Sequence, residues 1–178
     1  MRGERSRVRG RQSACCFTGH RPGKLPWGYA EEDPRCVDLK RRLFDAVEAA
    51  CSEGYCHFLC GMAQGCDLYA CECVLELKKR YPEITLEAAI PCPSQANAWP
   101  ETERTRYQRL LEQCDYETMV SAAYSPSCMQ RRDRYMVDHA ALLIAMFDGT
   151  SGGTRYTIEY AMRCGLDVMD LPIVEEAE

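Results

Sequence analysis

Phe58-Leu59-Cys60-Gly61-Met62-Ala63-Gln64-Gly65-Cys66-Asp67 is the stretch that decides how the rest of the chain is read. A short apolar run ends at Gly61, a second glycine follows at Gly65, and an apolar-periodic segment opens at Leu68. That order predicts a strand, a glycine-rich turn and a helix start. Glycine reaches positive φ and lets other groups come close to the backbone. A helix start presents unpaired N–H groups and a partial positive charge. The combination suits a phosphate or another anion, and a tight βα turn with no ligand would use the same glycines. Two other strand ends carry similar loops, and they weigh toward a ligand.

The first of these loops follows a short apolar run over residues 13–18 and reads Gly19-His20-Arg21-Pro22-Gly23-Lys24. Its prolines and glycines exclude a helix. Arg21 has the planar fork that fits a phosphate or carboxylate, or an ordinary surface ion pair. His20 is expected as a loop hydrogen-bonder. The other loop, Asp148-Gly149-Thr150-Ser151-Gly152-Gly153-Thr154, follows the continuous apolar run 141–147 and precedes a helix over 155–164. Between these landmarks the periodicity predicts helices over 34–52 and 67–80, a third opening at Pro100, and a fourth running to about 140. Ser127-x-x-Gln130 reads as its capping box, and Arg131, Arg132 and Arg134 lie in its first turns, where Arg132 could meet an anion. Further strands are expected over 57–60, 85–90, 116–120 and 167–171. Alternating strands and helices make this an α/β domain, three layers deep, around a mainly parallel sheet of about six strands. Ligands bind such sheets at the carboxyl ends of the strands, where strand order reverses. With strands one, two and five adjacent, all three glycine loops meet in one crevice.

The composition bounds the function. The chain has 178 residues, 46% of them apolar and 28% charged, with a net charge of −5. One soluble domain over residues 13–174 accommodates this, between a basic, disordered tail at 1–12 and a short acidic tail at 175–178. The acidic balance argues against nucleic acid as a partner. No apolar run approaches a membrane span and no signal-peptide apolar region stands near the start. The 13 cysteines include no Cys-x-x-Cys pair. Cys15, Cys16, Cys56 and Cys60 fall in strands, and Cys51, Cys71 and Cys164 on apolar helix faces. They are expected as buried thiols of a cytoplasmic protein, with neither metal nor cofactor bound.

Four motifs in order now carry a resemblance: 18–22, 61–67, 132–138, and 148–149 with 152–154. Together they resemble the YpsA-like branch of the SLOG superfamily, which also holds DprA and the cytokinin-activating LOG hydrolases. The resemblance covers residues 15–171 and implies a Rossmann-like fold with a pocket for a nucleotide-derived small molecule. DprA-like proteins have a similar Gly-x-Ala-x-Gly-x-Asp loop, matched by Gly61, Ala63, Gly65 and Asp67. LOG proteins have a Pro-Gly-Gly-x-Gly-Thr loop and a following glutamate. This chain lacks that proline and third glycine, and Glu159 is its nearest acid. Where the branch commonly has Asn, this chain has Asp133. The resemblance implies a binding or sensor protein whose ligand touches Gly19, His20, Arg21, Pro22, Gly61, Met62, Ala63, Gly65, Asp67, Arg132, Asp148, Gly149, Gly152, Gly153 and Thr154. N-glycoside hydrolysis, with Asp67 or Glu159 as the acid, and DprA-like binding of single-stranded DNA are the alternatives. A homo-oligomer stays open.

Overall fold

The computed structural model describes residues 10–174. The arginine-rich segment 1–9 and the acidic tail 175–178 lie outside the described residues. In chain order the elements are β1 (Ala14–Gly19), α1 (Pro34–Ser52), β2 (His57–Cys60), α2 (Cys66–Lys78), β3 (Thr85–Ile90), α3 (Glu101–Gln113), β4 (Tyr116–Met119), α4 (Cys128–Asp138), β5 (Leu142–Phe147), α5 (Gly153–Arg163) and β6 (Asp167–Pro172). The strands form one sheet in the order β4-β3-β2-β1-β5-β6, and every pairing is parallel. A Rossmann-like α/β architecture follows, with strand order reversing between β1 and β5.

Alternate residues of each inner strand serve opposite layers, as the strand period of two requires. Cys15 and Phe17 of β1, with Ile144 of β5, pack among Leu39, Leu43 and Val47 of α1 and Leu68, Cys71 and Val74 of α2. Cys16, Leu143 and Ala145 face the other way, onto Met136 and Val137 of α4 and Ala161 of α5. β5 is buried along most of its length, and only its last residue, Phe147, is partly open. A strand covered on both faces is a continuous apolar run for this reason. Cys15, Cys16, Cys60 and Cys71 are fully buried, while Cys51, Cys56 and Cys164 are partly exposed. Burial pushes the Cys16 thiol well above its ordinary value. No helix among the described residues is long and apolar enough to cross a membrane.

Local details differ from the sequence expectations at element ends. Asp33 caps α1 by accepting from the Arg35 N–H at 2.9 Å, with Pro34 at the first helical position. The capping box at Ser127 and Gln130 does not form. Ser127 precedes α4 in a near-helical conformation (φ −102°, ψ 0°) and makes no side-chain cap. A serine reaches the N3 amide only from extended backbone. α5 begins at Gly153, two residues earlier than its apolar periodicity indicates, so Gly153 and Thr154 stand in its first turn. Arg11, expected in the disordered tail, is part of the domain. It opens a 3-10 turn, and its guanidinium donates to the Ala140 carbonyl at 3.0 Å and the Cys164 carbonyl at 3.2 Å. Those oxygens lie just past the ends of α4 and α5, where carbonyls have no partner within the helix.

Candidate functional site

The ends of β1, β2 and β5 lie side by side, because β2-β1-β5 are neighbours in the sheet. Gly19 pairs with Met146 across β1 and β5. The loops after these strands, with the start of α4, surround a cavity of about 380 Å³. Of the residues named from the resemblance, Gly19, His20, Arg21, Ala63, Asp67, Arg132, Gly153 and Thr154 line it. Pro22, Gly61, Met62, Gly65, Asp148, Gly149 and Gly152 do not.

Several of these non-lining residues shape the walls instead. Gly65 has φ +81°, and a Cβ there would lie 2.7 Å from the His20 carbonyl oxygen. A Cβ on Gly61 would lie 2.7 Å from the Arg132 guanidinium and 2.9 Å from the Asp67 carboxylate. Met62 is buried with φ +59° and is the single non-glycine residue with positive φ among those described. Such backbone costs on the order of 1–3 kcal/mol and persists where its surroundings dictate it. Around it the Gly61 carbonyl accepts from Arg132 Nη1, and the Gly61 and Met62 carbonyls accept from Gln95 Nε2 at 3.4 Å.

His20 joins all three loops. It is 3% exposed. Its carbonyl accepts the Cys66 N–H at 3.1 Å, at the start of α2. Its Nε2 lies 2.7 Å from Asp148 Oδ1, and its Nδ1 lies 3.3 Å from Thr154 Oγ1. Asp148 Oδ1 also accepts from the Thr150 N–H at 2.9 Å and the Thr150 hydroxyl at 2.6 Å. Burial alone would raise this carboxyl, but the hydrogen bonds from Thr150 and His20 outweigh it and hold it well below the usual carboxylate range. His20 is thus the hydrogen-bonder that its loop context suggests, but its side-chain partners come from residues more than a hundred positions away.

The charges around the cavity are divided between committed and open groups. Arg132 is 3% exposed. Its guanidinium donates to the Gly61 carbonyl, to Gln95 Oε1 at 3.3 Å and to Asp133 Oδ1 at 2.7 Å. It lines the cavity, yet most of its donors serve the protein, which differs from the expected cation reaching for a ligand. Arg21 and Lys24 are exposed at the same cavity. Lys24 Nζ donates to the Ser151 carbonyl at 2.7 Å, and a Cβ on Gly152 would lie 2.6 Å from that ammonium. Lys24 carries no motif of its own, and a cation in a glycine-proline loop beside Arg21 is the one signal that could have found it. Gly152 (φ +142°) precedes α5 without any side-chain cap, so the helix opens toward the cavity with its first amides uncapped.

Asp67 is the chemically distinctive group. It is buried, lines the cavity, and accepts the Ala63 N–H at 3.2 Å. Desolvation raises its carboxyl most. Arg132 and the Ala63 amide oppose that, Asp133 adds to it, and the result is about 6. Glu159, the other acid considered for glycoside cleavage, pairs with Arg155 at 3.0 Å on the exposed face of α5 and does not line the cavity. Among the described residues, no group of three or more His, Cys, Asp or Glu could hold a metal ion.

Known proteins resemble this chain in sequence and in fold. The YpsA family model, described as the YspA SLOG family, matches residues 15–169. The uncharacterised SPbeta prophage-derived protein YoqJ of Bacillus subtilis is 32% identical, over 74% of this chain and 85% of its own. A UPF0398 protein of Bacillus pumilus is 26% identical, over 81% of this chain and 78% of its own. Among solved structures, DNA processing protein A of Helicobacter pylori, described for its single-stranded DNA binding mode, superposes with a TM-score of 0.60 at 15% identity. DprA of Streptococcus pneumoniae gives a TM-score of 0.58 at 16% identity. Each likeness covers 89% of this chain, but 65% of the first structure and 50% of the second, so it speaks for the shared fold alone. Fold, glycine loops and family match agree, and the chain belongs to the YspA SLOG family.

Proposed function

We propose that the crevice binds a nucleotide or nucleotide-derived small molecule through its phosphate, and that the protein acts as a cytoplasmic binding or sensor protein for that ligand. The observation that carries this reading is the start of α5. Its first-turn amides have no side-chain cap, they border a cavity of about 380 Å³, and both exposed cations of that cavity, Arg21 and Lys24, stand at it. Unpaired amides and a positive helix end favour an anion. A Cβ on Gly153 would meet nothing within 4 Å, so the space beside that amide is open.

The test is thermal denaturation against ADP-ribose, common nucleotides, sugar phosphates and a short single-stranded oligonucleotide. A ligand at a hundredfold excess over its dissociation constant stabilises the native state by about 2.7 kcal/mol. For a chain of this size that is a rise in midpoint of roughly 5–10 °C. Gly153→Val abolishes the rise by filling the phosphate position. Arg21→Ala weakens the ligand with little change in basal stability, because an exposed arginine contributes little to folding. Gly10→Val, where a Cβ also meets nothing within 4 Å but lies away from the cavity, changes neither. No shift with any nucleotide, or full binding by Gly153→Val, refutes the reading. Salt-tolerant binding of the oligonucleotide in preference to the mononucleotides moves single-stranded DNA, the ligand described for the H. pylori neighbour, to first place.

Asp67 supports a second reading. A buried carboxyl at about 6 in a ligand cavity is suited to act as an acid near neutral pH. Release of free base from a nucleotide by the wild type, lost in Asp67→Asn, would establish an N-glycoside hydrolase.

A further inference from the structure

The hydrogen bonds around His20 fix where its proton sits. Asp148 Oδ1 receives two hydrogen bonds from Thr150 and lies 2.7 Å from His20 Nε2. An ionised carboxylate can only accept, so Nε2 carries the hydrogen. In the neutral ring Nδ1 is then an acceptor, and the group beside it is the Thr154 hydroxyl at 3.3 Å. A hydroxyl has a single proton. While the ring is neutral, that proton points at Nδ1, and Thr154 turns lone pairs toward the cavity that it lines. Once the ring is protonated, Nδ1 donates to the hydroxyl oxygen, and the Thr154 proton is free for a ligand.

We propose that Thr154 is a switchable specificity contact, accepting a hydrogen bond from the ligand while His20 is neutral and donating one to a phosphate oxygen when His20 is protonated. A phosphate seated at the start of α5 is therefore bound together with a proton. This rests on the phosphate-binding reading of the crevice and adds the protonation state that the bound phosphate requires. The proton goes to His20 Nδ1, the Nδ1–H bonds to Thr154 Oγ1, and the Thr154 hydroxyl turns to the phosphate; no covalent bond changes other than N–H.

Several charged groups face His20 or share its cavity. Asp148 follows β5 and stays ionised. The Phe147 ring, 5.9 Å away by centroid, supplies an apolar side. Arg21 and Lys24 in the β1 loop, Asp67 on α2, and Arg132 and Asp133 on α4 share the cavity. With Asp148 counted, three cations face three acids, and Asp67, raised to about 6, is the competing proton acceptor.

Two measurements decide the matter. The first needs no ligand: nitrogen chemical shifts of His20 in the free protein report the neutral tautomer. Hydrogen on Nε2 is expected, and hydrogen on Nδ1 overturns the proposal whatever the protein binds. The second is calorimetry with ADP-ribose in buffers of different ionisation enthalpy between about pH 5 and 8, where histidine side chains change charge. Wild type takes up as much as one proton per ligand, and its affinity rises up to about tenfold for each unit fall in pH. His20→Gln keeps an amide N–H for Asp148 but does not titrate, and binds without proton uptake. Thr154→Val loses affinity chiefly at the acid end, so its pH dependence flattens. Asp67→Asn retains the uptake. Binding by wild type with no uptake, or loss of uptake in Asp67→Asn, overturns the proton coupling while leaving nucleotide binding intact. Absence of binding with the expected tautomer present overturns nucleotide binding and, with it, the phosphate contact.

Discussion

Replacing Asp67 by Asn should make the protein more stable at neutral pH, although it alters a buried group in contact with its loop. The carboxyl is buried, and its value rises from an ordinary 3.8 to about 6. In acid, below the unfolded value, both states hold the proton and no pH-dependent difference exists. Between about pH 4 and 6 the unfolded chain releases the proton while the folded chain keeps it, so stability falls as pH rises. Above about pH 6 the penalty is complete, at about 3 kcal/mol from 1.36 kcal/mol for each pH unit. Asn imitates the protonated acid in shape and charge and can accept the same Ala63 N–H, so the variant escapes this penalty. Urea denaturation of both proteins at about pH 4 and about pH 8 measures it as a difference of differences, in which all other titrating groups cancel. The unfolded carboxyl is already partly ionised at about pH 4, so the variant should gain about 2.5 kcal/mol relative to wild type between the two conditions, a shift of roughly 1–2 M in urea midpoint. An unchanged difference would mean that Asp67 ionises normally and that burial is not setting its chemistry. The expected result identifies a carboxylate retained at the expense of stability, which is the usual mark of a functional acid.

Three other substitutions test the walls of the crevice and a buried carboxylate on β3. Gly65→Ala should lose about 2 kcal/mol or more in thermal or urea denaturation, because its φ of +81° is strained for alanine and the new Cβ would lie 2.7 Å from the His20 carbonyl; Gly153→Ala, with open space around its Cβ, should be neutral or stabilising. Glu87 accepts hydrogen bonds from Thr118 at 2.8 Å and from Tyr135, and lies 2.7 Å from His57 Nε2. Burial raises its carboxyl, but those bonds outweigh it and bring it down to about 2. Its contribution is therefore present above the unfolded value and lost as pH falls toward 2, so Glu87→Gln should cost about 2 kcal/mol near neutral pH and progressively less in acid denaturation curves.

The architecture was legible because its causes are local. The apolar run before Phe147, the glycines at 61 and 65, and the proline opening α1 each act within a few residues. The adjacency of β1, β2 and β5 was expected from the similar glycine loop that ends each of them, and the sheet order places them side by side. Other features depend on partners that one sequence does not reveal. Arg132 looks the same on the page whether it waits for a phosphate or, as here, holds the Gly61 carbonyl and Asp133. Ser127 has the capping-box spacing, but the turn from Ser125 sets a backbone from which it cannot reach. Asp67 was readable as a candidate acid on its loop, but its raised value comes from burial under the whole fold. Lys24 acquires its position only when the loop after β5 comes to meet it.

The order of the strands has a consequence for how the protein is made. Of the described strands β1 leaves the ribosome first, and it ends in the interior of the sheet, between β2 and β5. β2 arrives about 40 residues later, but His20 meets Asp148 only after a separation of 128 residues. At about 5–20 residues per second the nascent chain spends roughly 6–25 s with the β5-facing edge of β1 open. That edge carries the buried Cys16 and Thr18, and an open apolar edge is a template for pairing with another chain. A chain that stops before β5 therefore lacks one wall of the crevice and also keeps an adhesive strand exposed. The crevice is closed and the adhesive edge covered in the same late step of synthesis.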